Sequence, residues 1–213
     1  MMISPDGYVE FELKGKTPEK VLSKIRGLHR EMAKLKNQAE TQLDFVDLVV
    51  SPSPQVRIDV MRDYLVAAEE YYKSIGGKYE PSKLEQKAAA FDSNIDHICS
   101  IKVEYGGFFG GAEERTLTRD GDKIVVERFF YNGALEDEKK LYEGMEWHDL
   151  IDELTYIHMG EWRSKYVDPN VLDGTQWSVD ITYDNGTRPK HFYGSNKFPY
   201  NFDRFLEFME MER

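Results

Sequence analysis

The spacing of apolar residues changes near residue 96. Before it, apolar side chains recur every three or four residues, the period of an amphipathic helix. After it, apolar and polar residues alternate, the period of a half-buried strand. Asp120-Gly121 and Asn185-Gly186 interrupt the alternation, and such dipeptides favour type I′ hairpin turns because both central residues need a positive φ. The pattern therefore predicts helices followed by an antiparallel sheet.

Two long helices are predicted in the N-terminal part. Thr17-Pro18 and Ser53-Pro54 each place a hydroxyl at the N-cap and proline at the first helical position. The first helix is expected over about 18–38, the second ends at Gly76-Gly77, and a shorter third runs from about 81 to 91. The predicted buried stripes are Val21, Leu22, Ile25, Leu28, Met32 and Leu35 in the first helix, and Val56, Val60, Tyr64, Ala67, Ala68, Tyr71 and Ile75 in the second.

The C-terminal part is predicted to contain five strands and two helices in the order βββ-α-ββ-α. We expect an α+β fold in which a helical hairpin, residues 1–95, packs on an antiparallel β-meander domain, residues 96–213. Residues 159–174 are expected to be irregular, and Lys139–Tyr142 to supply an additional edge strand. The predicted strands are 100–105, 116–119, 123–130, 177–183 and 188–193, and the predicted helices are 145–158 and 200–211.

The 213 residues carry a net charge of −11, distributed unevenly. An acidic total argues against general nucleic-acid or anionic-membrane binding, where neutralisation of phosphates supplies most of the affinity. Basic side chains nevertheless line one side of the 18–38 helix, while acidic residues dominate 134–154. The basic side either stays solvated or docks on the acidic region, of the same chain or of a second copy; docking on a second copy would form a homodimer. Contact with nucleic acid through this helix is the remaining alternative.

Cys99 is the only cysteine, so neither an intramolecular disulfide nor a thiolate metal cage can form. Its apolar surroundings predict a small buried side chain. The N-terminus lacks the pattern of a secretory signal, and no apolar run approaches the ~20 residues of a membrane span. These features predict a cytoplasmic protein without membrane contact.

No residue set assembles into a complete catalytic, cofactor or metal motif, so we predict no cofactor and no metal. The glycines of 106–111 are followed by acidic residues rather than by the Lys-Ser/Thr pair of a phosphate loop, which favours a structural turn or an exposed contact. His148 and Asp152, four residues apart, are read as a helix surface pair rather than metal ligands. Asp180 and His191 are expected to face each other across the second hairpin, as a polar cross-strand pair or with His191 as a general base.

Two blocks of sequence carry a resemblance. They are residues 105–111, Tyr-Gly-Gly-Phe-Phe-Gly-Gly, and residues 177–183, followed by Tyr193-Gly194-Ser195-Asn196 and Pro199. Over most of its length the chain resembles uncharacterised bacterial proteins found among phage and mobile-element accessory genes. The resemblance implies a small regulator or inhibitor of a host system, and it brings no catalytic residue with it.

Together these features predict a non-enzymatic, protein-binding accessory factor, an inhibitor or regulator of a host or defence complex of the CRISPR type. The alternative is a small hydrolase-like enzyme, or a nucleotide- or small-ligand-binding protein, with its site near Asp180 and His191. Arg, Tyr and Trp dominate interface hot spots, which guides the choice of candidate contacts. The predicted protein-binding residues are Phe108, Phe109, Trp162, Arg163, Arg188, His191, Tyr193 and Asn196.

Overall fold

The structure is a computed structural model that describes residues 3–41, 52–107, 111–131, 142–171 and 173–211. Across these ranges, N-terminal helices precede a mixed six-stranded sheet with further helices, which confirms the predicted α+β class. The chain divides into two units, Met1–Pro81 and Ser82–Arg213. In the described ranges, every helix is too short or too polar to cross a lipid bilayer.

The described residues of the first unit form three α-helices and a π-helical turn. Helix α1 (Pro5–Tyr8) continues into a π-helical turn, Val9–Leu13, and is followed by α2 (Pro18–Thr41) and α3 (Pro54–Ser74). The two proline-containing start signals are confirmed, and the Ser53 hydroxyl accepts a hydrogen bond from the Val56 amide at the start of α3. Helices α2 and α3 pack against each other. The stripe predicted for α2 is buried at every position except the partly exposed Leu22.

The buried stripe of α3 differs from the predicted one. Ala68 is buried as predicted, but Val56 is exposed, and the other buried apolar side chains are those of Ile58, Leu65 and Tyr72. The helix carries two overlapping apolar faces with the same three- and four-residue spacing, and periodicity alone does not identify the face that meets α2.

In its described part, the second unit holds the sheet and three α-helices. Its strand order is β3-β2-β1-β5-β6-β4, and all neighbours are antiparallel except β4 and β6. The elements are α4 (Lys83–Asp92), β1 (Ile98–Gly107), β2 (Gly111–Asp120), β3 (Lys123–Tyr131), α5 (Trp147–Thr155), β4 (Lys165–Val167), β5 (Thr175–Tyr183), β6 (Lys190–Ser195) and α6 (Phe202–Phe208).

Strand β4 corrects the expectation that residues 159–174 are irregular. Its central side chain, Tyr166, is buried, and the Asp168 amide after it donates to the Ser195 carbonyl oxygen at 3.0 Å. A strand of three residues is too short to show alternation of apolar and polar positions, so β4 could not be predicted from the sequence pattern. The edge strand predicted at Lys139–Tyr142 lies outside the described residues except for Tyr142, which sits in a turn.

Both hairpin turns differ from the predicted type I′ geometry. Residues 121 and 122 join β2 to β3, and only Gly121 of the two has a positive φ, as in a type II′ turn. Residues 184–189 join β5 to β6 in a longer loop. Pro189 lacks an amide proton for the ladder, and the Asn185 side chain instead accepts from the Thr187 amide at 3.0 Å.

The main core lies on one side of the sheet, named the covered face, beneath α5 and α6. Ile101, Val103, Trp177 and Val179 are buried there against apolar side chains of both helices. Cys99 was expected in this core but is only partly buried, because a bulge between Ile98 and Ser100 shifts the register and leaves its Sγ 3.5 Å from Thr182 Oγ1.

Helix α4 packs against the short turn Met159–Glu161 of the same unit. A capping box formed by Ser82 and Glu85 fixes its start. The contact depends on Gly160, because a Cβ there would lie 2.8 Å from the Ala88 carbonyl oxygen. The two units divide after Pro81, whereas the sequence predicted a division after residue 95. Helix α4 therefore belongs to the same unit as the sheet.

Candidate functional site

The second side of the sheet, named the open face, carries polar and exposed side chains. Strand alternation sends every second residue there, and burial confirms that these side chains lie outside the main core. The open face comprises Ser100, Lys102, Glu104, Glu114, Thr116, Thr118, Val125, Glu127, Phe129, Tyr131, Gln176, Ser178, Asp180, Thr182, His191 and Tyr193.

A charged row crosses the centre of the open face. The register aligns Lys102 of β1 with Asp180 of β5, and Asp180 with His191 of β6. The predicted Asp180–His191 pair is confirmed, with Asp180 Oδ1 and His191 Nδ1 2.7 Å apart. The Nε2 atom of His191 has no hydrogen-bond partner among the described residues, so this ring edge is available to a ligand.

Lys102 is held by two carboxylates. Its Nζ lies 3.0 Å from Glu114 Oε2 and 3.2 Å from Glu104 Oε1. The hydrogen bond to Glu114, more than the one to Glu104, raises the pKa of Lys102 above its usual value. Lys102 therefore remains an ammonium at neutral pH and neutralises part of the acidic charge on the open face.

A cleft of about 400 Å³ lies beside this row. Its polar lining includes Glu104, Ser178 and Tyr193, and its glycines bring backbone segments close together. A Cβ at Gly174 would lie 2.0 Å from Oδ1 of Asn196, so a larger residue there would require the Asn196 side chain to move. The cleft presents a carboxylate, a hydroxyl and a phenol, groups that bind polar ligands by hydrogen bonds.

Strand β3 borders the open face and is an edge of the sheet. In the described ranges it pairs only with β2. Three apolar side chains on its open-face side are strongly exposed: Val125 at 42 %, Phe129 at 55 % and Tyr131 at 55 %. The Tyr131 hydroxyl donates to Glu114 Oε2 at 3.3 Å, which links the edge to the central charged row.

A second cleft, of about 650 Å³, lies between the β2–β3 turn and α5. Its lining combines Asp96, Asp122 and Asp152 with Arg119 and His148. His148 approaches Glu146 and Asp149 at 3.2 and 3.3 Å rather than the predicted Asp152. These exposed contacts are ordinary surface pairs of a helix N-terminus.

The predicted interface residues are distributed over different environments. His191 and Tyr193 lie together on the open face, and Asn196, with a φ of 54°, packs against Gly174 at the end of the cleft. Arg188 is exposed in the β5–β6 loop, and Arg163 is exposed with its guanidinium 4.6 Å from the Tyr166 ring centroid. Phe108 and Phe109 lie outside the described residues.

Trp162 is a core residue. It has no exposed surface, its Nε1 donates to Asn201 Oδ1 at 2.8 Å, and its ring packs edge-on against Phe192 and Phe205. A partner cannot reach this side chain, because an indole with a satisfied N–H and aromatic neighbours belongs to the interior. Trp177, expected in the core, is 1 % exposed and is confirmed there.

The exposed apolar residues of β3 are not among the predicted contact residues. Residues 123–131 place apolar side chains on both faces: Ile124, Val126 and Phe130 on one, and Val125, Phe129 and Tyr131 on the other. A strand covered on only one side is expected to alternate apolar with polar. The apolar residues on the second face were the available signal.

Arg115 was also missed. It is 1 % exposed on the covered face, where it donates to the carbonyl oxygen of Met209 at the end of α6 and to Glu113 Oε1 at 2.5 Å. These bonds give the buried cation a counter-charge and satisfy a carbonyl group at a helix C-terminus. The role of Arg115 is therefore structural.

The basic side of α2 is partly neutralised within the first unit. Lys24 of α2 lies 2.7 Å from Glu12. The ion pair with Glu12 raises the pKa of Lys24 above its usual value.

A scan against family models, a search of curated proteins and a search of solved structures find no match to this chain.

Proposed function

We propose that this protein is a non-enzymatic accessory factor that binds a protein partner through the open face and its β3 edge. The observation that carries the proposal is the exposure of Val125, Phe129 and Tyr131 on a strand held in place by β2. An exposed apolar row at a sheet edge tends to associate with other chains. Because soluble proteins rarely keep such a surface uncovered, its presence marks a contact site. Tyr193 on the same face adds an aromatic group of the kind enriched in interfaces.

Affinity capture tests this function. The immobilised wild-type protein is expected to retain a stoichiometric partner from bacterial lysate, and the Phe129→Ser/Tyr131→Ser variant to lose it. Tyr156→Ser is the matched control, because Tyr156 is 71 % exposed at the end of α5, outside the open face. Equal retention by both variants, or the absence of any retained protein, contradicts the proposal.

The resemblance to phage and mobile-element accessory proteins extends the proposal to the kind of partner: a host or defence complex of the CRISPR type, encountered in the bacterial cytoplasm. The acidic net charge of −11 argues against general nucleic-acid binding and favours a basic protein surface. Expression of the protein in cells with active CRISPR-type immunity is expected to raise the plating efficiency of a targeted phage. Unchanged plating removes this extension and leaves the binding function to be judged by capture.

A second candidate function rests on the Asp180–His191 pair beside the 400 Å³ cleft. A histidine oriented by a carboxylate, with its second ring nitrogen available, is an arrangement used for general-base catalysis or ligand binding. Native mass spectrometry of freshly purified protein is expected to detect a bound nucleotide or other small molecule that His191→Ala loses. Absence of a bound molecule, together with no turnover of nucleotide and peptide substrates, removes this candidate.

A further inference from the structure

We propose that β3 binds an extended segment of a partner protein as a seventh strand, and that this segment places a Lys or Arg between two apolar residues on the open-face side. The inference rests on the proposed protein-binding function and specifies its geometry. It follows from the backbone, the charges and the side-chain order of β3.

The backbone of β3 is suited to strand addition. Its nine residues pair with β2 along their whole length, from Asp120↔Lys123 to Ala112↔Tyr131. A strand paired on one side presents half of its N–H and C=O groups to the other side, where an added strand can bind them. Across the described residues, that other side of β3 has no paired strand.

The charges of β3 select the partner's side chains. Arg128 faces the covered side, where its Nε lies 3.2 Å from Oε1 of Glu113, a carboxylate that it shares with Arg115. Glu127 is exposed on the open face and has no ion-pair partner in the described part of the chain. Opposite charges on directly opposed strand positions stabilise pairing, so a Lys or Arg is the complementary residue.

The side-chain order fixes the pattern around that basic residue. Val125 and Phe129 flank Glu127 at two residues on either side, and both are exposed. An apolar residue opposite each of them buries this surface. Because Glu127 lies midway between them, the pattern apolar-x-basic-x-apolar fits whether the added strand runs parallel or antiparallel to β3.

A second copy of the chain is a less suitable occupant. Antiparallel self-pairing that uses all nine residues of β3 opposes Phe129 with Val125, but it also opposes Glu127 with Glu127. Like charges on opposed positions destabilise a strand pair, and two copies with a net charge of −11 repel each other. A basic partner meets neither penalty.

The test uses the full-length protein and a blocked nine-residue peptide with valine at positions three and seven, lysine at position five and serine or threonine elsewhere. Fluorescence anisotropy is expected to detect saturable binding of the lysine peptide, and binding about fivefold weaker when glutamate replaces the lysine. Glu127→Lys is expected to reverse this preference. Glu207→Lys, the same charge change at an exposed site on α6, is expected to leave it unchanged.

Backbone pairing has its own readout. N-methylation of every second peptide amide is expected to abolish binding in one of the two alternating sets and to spare the other, because only one set faces β3. Equal affinity of both methylated peptides, or no binding of any peptide, overturns strand addition.

Failure of this inference is distinguishable from failure of the proposed function. If Phe129→Ser/Tyr131→Ser loses the captured partner but Glu127→Lys retains it and no peptide binds, protein binding stands and strand addition is wrong. A wild-type dimer in size-exclusion chromatography with light scattering, converted to a monomer by Phe129→Ser, identifies a second copy as the occupant and also overturns the inference.

Discussion

Asp180 and His191 occupy directly opposed positions on β5 and β6, with Asp180 Oδ1 and His191 Nδ1 2.7 Å apart. The side chains remain 46 % and 59 % exposed. Exposed ion pairs contribute little to stability, because water screens their attraction and ordering two side chains costs entropy. The pair is therefore available for ligand binding without being needed for the fold.

From this exposure we expect His191→Ala to lower the free energy of unfolding by less than about 1 kcal/mol. Urea denaturation followed by circular dichroism measures the change. Ser178→Ala, on the same face of β5, is the control for truncation without loss of the Asp180–His191 hydrogen bond. A loss above about 2 kcal/mol for His191→Ala alone would show that the pair contributes to folding, and its effect on binding could not then be separated from stability.

Arg115 presents the opposite case, a buried charge. Removing its guanidinium leaves Glu113 without its nearest cation and the Met209 carbonyl group without a donor. We expect Arg115→Ala to lower the free energy of unfolding by about 3–5 kcal/mol, the usual result of breaking a buried pair. Arg128→Ala is the matched control, because Arg128 also contacts Glu113 but is 25 % exposed, and its loss should be much smaller. Equal losses would contradict the assignment of Arg115 as the buried anchor.

The sequence was sufficient to predict the Asp180–His191 contact, although the predicted type I′ turn between the two strands is not the observed one. Register in a hairpin is symmetric about its centre, and the observed pairs from Gln176↔Ser195 to Ile181↔Lys190 are centred on Asn185-Gly186. The loop extends to Pro189, so the strand pairs nearest the turn are absent, but the register of the remaining pairs is the one that a two-residue turn would give. The alternation of apolar residues then kept both polar side chains on one face.

The position of Lys102 between Glu104 and Glu114 could not be predicted in the same way. It depends on β1 pairing with β2 and also with β5, a strand far along the chain. That second pairing also makes β3 an edge strand. Sequence periodicity gives the face of each residue but not the order of strands in the sheet, so the edge position of β3 could not be predicted from its apolar residues.

Substitution of Gly160 and of Gly27 by alanine is expected to change the free energy of unfolding in opposite directions. A Cβ at Gly160 would lie 2.8 and 2.9 Å from the backbone O and Cα of Ala88, so Gly160→Ala should force α4 away and cost about 1–3 kcal/mol. A Cβ at Gly27, inside α2, meets nothing within 4 Å, so Gly27→Ala should stabilise the protein by about 0.5–1 kcal/mol. Thermal unfolding of both variants measures these changes, and destabilisation by Gly27→Ala would contradict the packing of α2.

Tyr183 carries a buried hydroxyl without a hydrogen-bond partner among the described residues. Burial raises its pKa to about 12, from an ordinary value of 10.0. Because the folded state holds this proton more tightly than the unfolded state, stability is fully present below pH 10 and is lost as pH rises from about 10 to 12. Tyr183→Phe should remove this pH dependence, and the slope of unfolding free energy against pH should become shallower in that range.

The same variant should also raise the free energy of unfolding at pH 7 by about 1 kcal/mol, because it removes an unsatisfied buried hydroxyl. Tyr142→Phe is the matched control: burial also raises the pKa of Tyr142, but its hydroxyl donates to the Phe208 carbonyl oxygen at 2.9 Å. Loss of that bond should make Tyr142→Phe destabilising at pH 7, while Tyr183→Phe stabilises. Urea denaturation of both variants at pH 7 and across pH 9–12 separates the two effects, and destabilisation by Tyr183→Phe at pH 7 would show that its hydroxyl is satisfied in solution.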